Sequence, residues 1–287
     1  LHRNAFGRKR RIKEPFRIPC AKRRGYFGTE KESVHFFGTD FCRAYCRKGG
    51  LKNVKAIFKR DFNSYFNSPI GYSFFALIFA VMGVWFISYN CIGKGASLNT
   101  MFDNSVMVFL FVVPLLSVKM LTEERRTKTD QILLTSPVTV SQIVLGKYFA
   151  ALAVYGVALL TTLLFVVITA LFGKPAYGEI FSTYIGFILL GASFISVGLY
   201  ISSLTDNQFL GVLYSFAVLL IMFLMSMLLP YVTNPVLHAV LSWFALSKRF
   251  SAFSTGIFGL DAIVYYLCVC AFFIVLTIFS VEKRRWR

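Results

Sequence analysis

"EERRTKTDQILLTSPV", residues 123–138, lies between two long apolar stretches, and its reading decides the fold. Four charged residues lead into a short hydrophobic run that stops at a proline. A loop that merely joins two membrane spans needs no such run, because Ile132, Leu133 and Leu134 are costly to leave in water. The pattern predicts a short helix with an apolar patch and flanking charges. Thr122 is placed to cap it, Glu123 and Glu124 suit its first turn, and Pro137 limits it. Thr139 or Ser141 then helps to start the next helix. Hung beneath a membrane, such an element has the character of a docking surface.

The flanking stretches establish that there is a membrane to hang beneath. Of the 287 residues 56% are hydrophobic, and 32 are Phe; mean hydropathy is +0.64. A soluble domain of this length would not carry that load. Six spans are read, each judged by an uncharged apolar stretch of roughly 20 residues. They run at about 70–90, 104–121, 144–172, 179–204, 208–230 and 261–281. The third is long enough to begin in the interface or to tilt. The expected fold is therefore all-α and polytopic.

Two further segments belong to it. Within 52–67, Val54, Ile57, Phe58, Phe62, Tyr65 and Phe66 recur at helical spacing, while Lys52, Lys55, Lys59 and Arg60 lie mostly elsewhere on the wheel. That is an amphipathic helix suited to a membrane interface. Residues 231–260 are too interrupted for a seventh span and too apolar for open water. They predict short helices that dip into the outer interface or re-enter the bundle.

Basic residues set the expected orientation. With both termini in the cytoplasm, that side receives 27 Lys/Arg, and the other receives only Lys94, Lys174, Lys248 and Arg249. Residues 122–142 then face the cytoplasm and 231–260 the exterior. The net charge of +18 would suit nucleic acid, but 14 of the 31 Lys/Arg lie in residues 1–50, ahead of every span. Their placement beside a membrane fits an anionic leaflet and argues against a nucleic-acid partner. Those fifty residues show no helical or strand period and no apolar run of a signal peptide. They are expected to be a basic disordered or spurious extension, with a polyanion-gripping arm as the alternative.

No chemistry of its own is visible in the chain. Cys42 and Cys46 have no second pair at zinc spacing, and His2, His35 and His238 are scattered. Cys268 and Cys270 point to different faces of one helix. "GKGAS" (93–97) and "LGKY" (145–148) hold a Gly-Lys pair without a phosphate-binding loop. The span interiors lack Asp, Glu, Lys, Arg and His, which weighs against an ion-coupled carrier. Lys119, at a span end, is expected to snorkel. Small residues four apart, Gly146/Ala150 and Ala192/Ser196, read as helix-packing contacts.

Three stretches resemble the ABC-2 type permeases, the membrane subunits of ATP-driven exporters. They are "IFKRDFNSYFNSPIGYSF" (57–74), "EERRTKTDQILLTSPVTVSQIVLGKYFAAL" (123–152), and 249–286 with its basic end "EKRRW". The likeness covers 51–287, omits the first fifty residues, and within the family is nearest to the gliding-motility-associated branch. It implies a six-span unit with a cytoplasmic coupling helix seated in a separate ATPase, which binds the ATP. Glu123, Glu124, Arg125 and Arg126 match the charged contact region, and Leu133 and Leu134 its apolar support. Lys128 stands where the family usually has Gly, and Gln131 near its Glu. The resemblance further implies an external re-entrant hairpin at 231–260 and pairing with a second copy or a related permease in a bacterial inner membrane. Two other classes compete: a structural anchor of a motility or secretion machine, and a channel or ion-coupled carrier.

Overall fold

The computed structural model describes residues 54–55, 57–92, 98–126, 139–172, 176–256 and 259–285; for 70, 123–126, 240, 284 and 285 it describes the backbone alone. Every regular element among the described residues is a helix. Six are long and apolar enough to cross a membrane: Gly71–Ile92, Asn99–Thr122, Val140–Phe172, Tyr177–Leu204, Gln208–Tyr231 and Leu260–Lys283. Apolar stretches of this length form helices because lipid offers the backbone no hydrogen-bond partner. The protein is an all-α, multi-pass membrane protein. The expected limits are close to these; the largest difference is at the second span, expected from 104 and starting at Asn99.

The second and fourth spans are each 78% buried by their neighbours, against 17% for the first, so these two form the centre of the bundle. Small residues on the fourth make the close approach possible. A side chain at Gly186 would collide with Phe253, at Gly191 with the Tyr155 ring, and at Gly198 with Ser117. Among these contacts lies an aromatic core. Phe187 meets Phe102 and Phe109 edge-on, with centroids 5.1 and 4.8 Å apart. Tyr155 is fully buried, and its hydroxyl donates to the Phe187 carbonyl at 3.1 Å.

The long third span is interrupted rather than continuous. Val140–Thr161 and Leu163–Phe172 meet at Thr162. There the Thr161 and Thr162 hydroxyls donate to the carbonyls of Ala158 and Leu159 at 2.6 and 2.7 Å. Hydroxyls that bond back into the preceding turn bend helices, and here they divide one.

The described part of 231–260 holds two short helices, Pro235–Phe244 and Leu246–Ser254, where short helices were expected. The second packs inward through Leu246, Phe250 and Phe253, all buried. Tyr266 of the last span holds it by donating to the Leu246 carbonyl, and Tyr265 holds the first by donating to the Trp243 carbonyl. Cys268 is exposed and Cys270 buried, on different faces as expected. The bundle therefore has an upper end, which carries these short helices, and a lower end, where the second span finishes and the third begins.

Candidate functional site

Residues 57–66 are helical, and Pro69–Phe86 begins directly after a short break at Asn67 and Ser68. Along this leading helix Ile57, Asp61 and Tyr65 are four residues apart and so share one face. All three are buried, at 7%, 7% and 3% exposure, while Lys55, Lys59 and Arg60 are exposed. The amphipathic face is real, but an acid sits in the middle of it.

That acid has a partner in the bundle. The Lys147 ammonium lies 3.3 Å from Asp61 Oδ2 and donates to the Met120 carbonyl, also at 3.3 Å. Lys147 is itself 1% exposed. On the outer side the Arg60 guanidinium donates to Asp61 Oδ1 at 2.8 Å. Both carboxylate oxygens are thus engaged by cations from opposite sides. A charge taken out of water needs this degree of compensation.

Four residues on, the leading helix is tied again. The Tyr65 hydroxyl donates to the Leu116 carbonyl at 2.6 Å. The Lys119 ammonium donates to Ser68 Oγ at 2.7 Å and stands over the Tyr65 ring, 5.4 Å from its centroid. The packing beneath these polar contacts is close. A Cβ on Gly146 would lie 2.9 Å from Ile57 Cγ2, and one on Gly71 would run into the Tyr65 carbonyl. Gly146 admits the leading helix, and Gly71 permits the sharp corner into the first span.

These contacts surround the two ends of the quoted segment. The helix Asn99–Arg126 brings the chain into it, and Val140–Thr161 takes the chain out. Glu123, Glu124, Arg125 and Arg126 are the last turn of the incoming helix; their side chains, and all of 127–138 with Leu133 and Leu134, lie outside the described residues. The structure brings together Asp61, Tyr65, Ser68, Leu116, Lys119, Met120 and Lys147 next to that segment.

Two expectations are corrected here. Thr122 caps nothing: it is 1% exposed, and its hydroxyl donates to the Val118 carbonyl within a helix that runs on to Arg126. The glutamates therefore lie in a final turn, where the helix dipole favours the following arginines instead. Lys119 does not snorkel to water. It is 4% exposed because Ser68 and the Tyr65 ring satisfy its ammonium inside the protein.

Asp61 and Lys147 were missed in the sequence, although each left a mark there. Asp61 interrupts the spacing of Ile57 and Tyr65, and Lys147 follows Ile143 and precedes Ala151 at intervals of four in an apolar run. Opposite charges on two apolar faces are the signal that would have paired them.

Among the described residues no group of three His, Cys, Asp or Glu is arranged to hold a metal ion. The site is a fastening between helices, and its polar groups are engaged in holding positions. No individual curated protein matches the chain. The family of ABC-2 family transporter proteins matches residues 56–284, which take in the leading helix and all six spans. The chain belongs to this ABC-2 family and is a membrane permease component of an ATP-binding-cassette transporter.

Proposed function

We propose that the permease works with a separate ABC-type ATPase, which binds and hydrolyses ATP while the segment 123–138 seats in it from the cytoplasm. The observation that carries this reading is the tying of both helices that flank the segment to the leading helix at one end of the bundle. A segment held at both roots can transmit a push, whereas one on slack linkers cannot. Glu123, Glu124, Arg125 and Arg126 supply the charged contact, and Leu133 and Leu134 support it from behind.

The orientation has support as well. Among the described side chains, Lys55, Lys59, Arg60, Lys119, Lys147 and Lys283 gather at the lower end and Lys248 and Arg249 at the upper. That asymmetry favours a cytoplasmic lower end, both termini inside, and an external hairpin at 231–260. The reading includes export through a pair of such permeases, identical or related, in a bacterial inner membrane. The reading extends to a gliding-motility role, on the resemblance to that branch. Residues 1–50 are an extension outside the transport unit, which begins near residue 51. An apolar cleft of about 490 Å³, lined by Tyr200, Leu204, Tyr214, Val218 and Phe273, favours a lipidic or amphiphilic cargo.

Two variants test the docking. Glu124→Lys reverses a charge at the contact, and Leu134→Asp spoils its apolar support, with neither residue inside the bilayer. Like-charge juxtaposition costs several kcal/mol, so recovery of the ATPase in a pull-down from detergent extract should fall at least about tenfold. Expression and insertion should stay at the wild-type level. Undiminished recovery of the ATPase with both variants would remove the segment from the docking surface.

A further inference from the structure

We infer that Asp61 and Lys147 are positioning residues of the transport cycle: their ion pair pins the leading helix to the foot of the third span. Displacement of 123–138 then reaches the first span as one rigid movement. This rests on the docking reading above.

The pair is an expensive way to make a contact. Two ions withdrawn from water each carry a desolvation penalty, and apolar residues of similar size would hold such a site at least as well. Geometry is what the ions add. One ammonium is shared by a carboxylate of the leading helix and a carbonyl of the second span, each at 3.3 Å, while its own backbone starts the third. Three elements thus converge on one nitrogen. Arg60 takes Asp61 Oδ1 and leaves Oδ2 for Lys147, which fixes the plane of the carboxylate. A methionine in place of Lys147 would fill the space without reaching either oxygen.

The surroundings say what is pinned to what. Val140 and Val144, at the foot of the third span, pack with Val281 in a small cluster separate from the main core. The foot therefore depends on local contacts for its position. At the other side of the joint, Gly71 allows the leading helix to turn tightly into the first span. That span is only 17% buried along its apolar window. It meets the core along one line, through Phe74, Ile78, Met82 and Phe86, so a shift of its lower end can tilt it. The path from the segment to the first span runs through Lys147 and Asp61.

The joint can be read without the ATPase. In the full-length chain, with the six native cysteines replaced by alanine, Ile57→Cys and Gly146→Cys place two Cβ atoms about 3.1 Å apart. A small parting of the helices brings these into disulfide range. The rate of oxidative crosslinking in native membranes reports how closely the leading helix is held. Asp61→Asn should slow closure about tenfold or more, and so should Lys147→Met, since each removes one charge of a buried ion pair that joins two helices. The double variant should be no slower than the worse single, because the two act as a unit. Additive slowing would reduce the pair to ordinary packing, and unchanged closure in either single would overturn the inference. Monodisperse elution of each variant from detergent separates loss of the joint from failure to fold.

The copurified ATPase gives the second readout. Asp61→Asn should leave its recovery and its KM for ATP unchanged while its turnover in proteoliposomes shifts at least about threefold. Slowed closure with unaltered turnover would keep the joint as a structural tie and overturn its place in the transport cycle, while loss of ATPase recovery would count against the docking reading instead. Unaltered closure sinks the joint whatever the turnover.

Discussion

Gly146→Ala should loosen the leading helix from the third span, and the cost can be worked from the contact. The new methyl carbon would stand 2.9 Å from Ile57 Cγ2 and 3.1 Å from its Cβ, with the Val54 carbonyl oxygen at 3.5 Å. Real Cβ contacts are rarely that short, and β-branched Ile57 has little rotamer freedom with which to retreat. Overpacking by one carbon costs about 1–3 kcal/mol. Here the strain is relieved by local detachment rather than by unfolding the bundle. Lys59 and Arg60 lie exposed on that helix, so trypsin can cut there only when the helix opens. Cleavage that tracks the open population should rise about 5- to 150-fold. Inside-out vesicles provide the substrate, and N-terminal sequencing of the retained fragment identifies the cut. Ile57→Ala alone should also accelerate cleavage, by removing buried carbons. Combined with Gly146→Ala it should bring the rate back toward the wild-type value, because the added methyl fills part of the space that Ile57 vacates. Wild-type cleavage of Gly146→Ala, or additive effects in the double variant, would refute the packing argument.

Topology can be checked with Lys59→Cys and Thr233→Cys, both at exposed positions: a membrane-impermeant maleimide should label the first only from the cytoplasmic side and the second only from outside, and the reverse pattern would invert the orientation. A chain that starts at Leu51 should insert and retain the ATPase in pull-down as the full chain does; loss of either would give the basic arm a working role.

Much of the fold was legible because lipid imposes a simple rule. Long apolar runs must be helices, and "NSPIGY" (67–72) marks where the leading helix gives way to the first span. The small residues read as packing contacts were sound for the same reason: Gly146 is the seat of Ile57, and Ala150 is fully buried. Polar residues were harder. Whether Thr122 begins a helix or sits inside one depends on what satisfies its hydroxyl, and the Val118 carbonyl does so four residues earlier. Lys119 was read by position alone, and only the folded chain brings Ser68 and Tyr65 to it across 51 and 54 positions of sequence. Asp61 and Lys147 are 86 residues apart. Periodicity shows which face each occupies but not that the two faces meet.

The two ends of the bundle are fastened by different means, and the difference bears on which end works. At the upper end the ties include neutral donors on carboxylates, Asn99 on Glu179 and Ser254 on Asp103, both at 2.8 Å. Of the described cations there, Arg249 stands 3.6 Å from an Asp261 side chain that is 81% exposed. Water competes for that ion pair, and its net worth is at most about 1 kcal/mol. At the lower end Lys147 and Lys119 are withdrawn from water and each is shared between elements. A contact made in water can be exchanged for hydration at little cost, so it yields when pushed. A buried ammonium has no such substitute, and the helices that share it must move together or leave a charge unpaired. Rigid joints belong where a displacement is received, and on the proposed docking of 123–138 that place is the lower end.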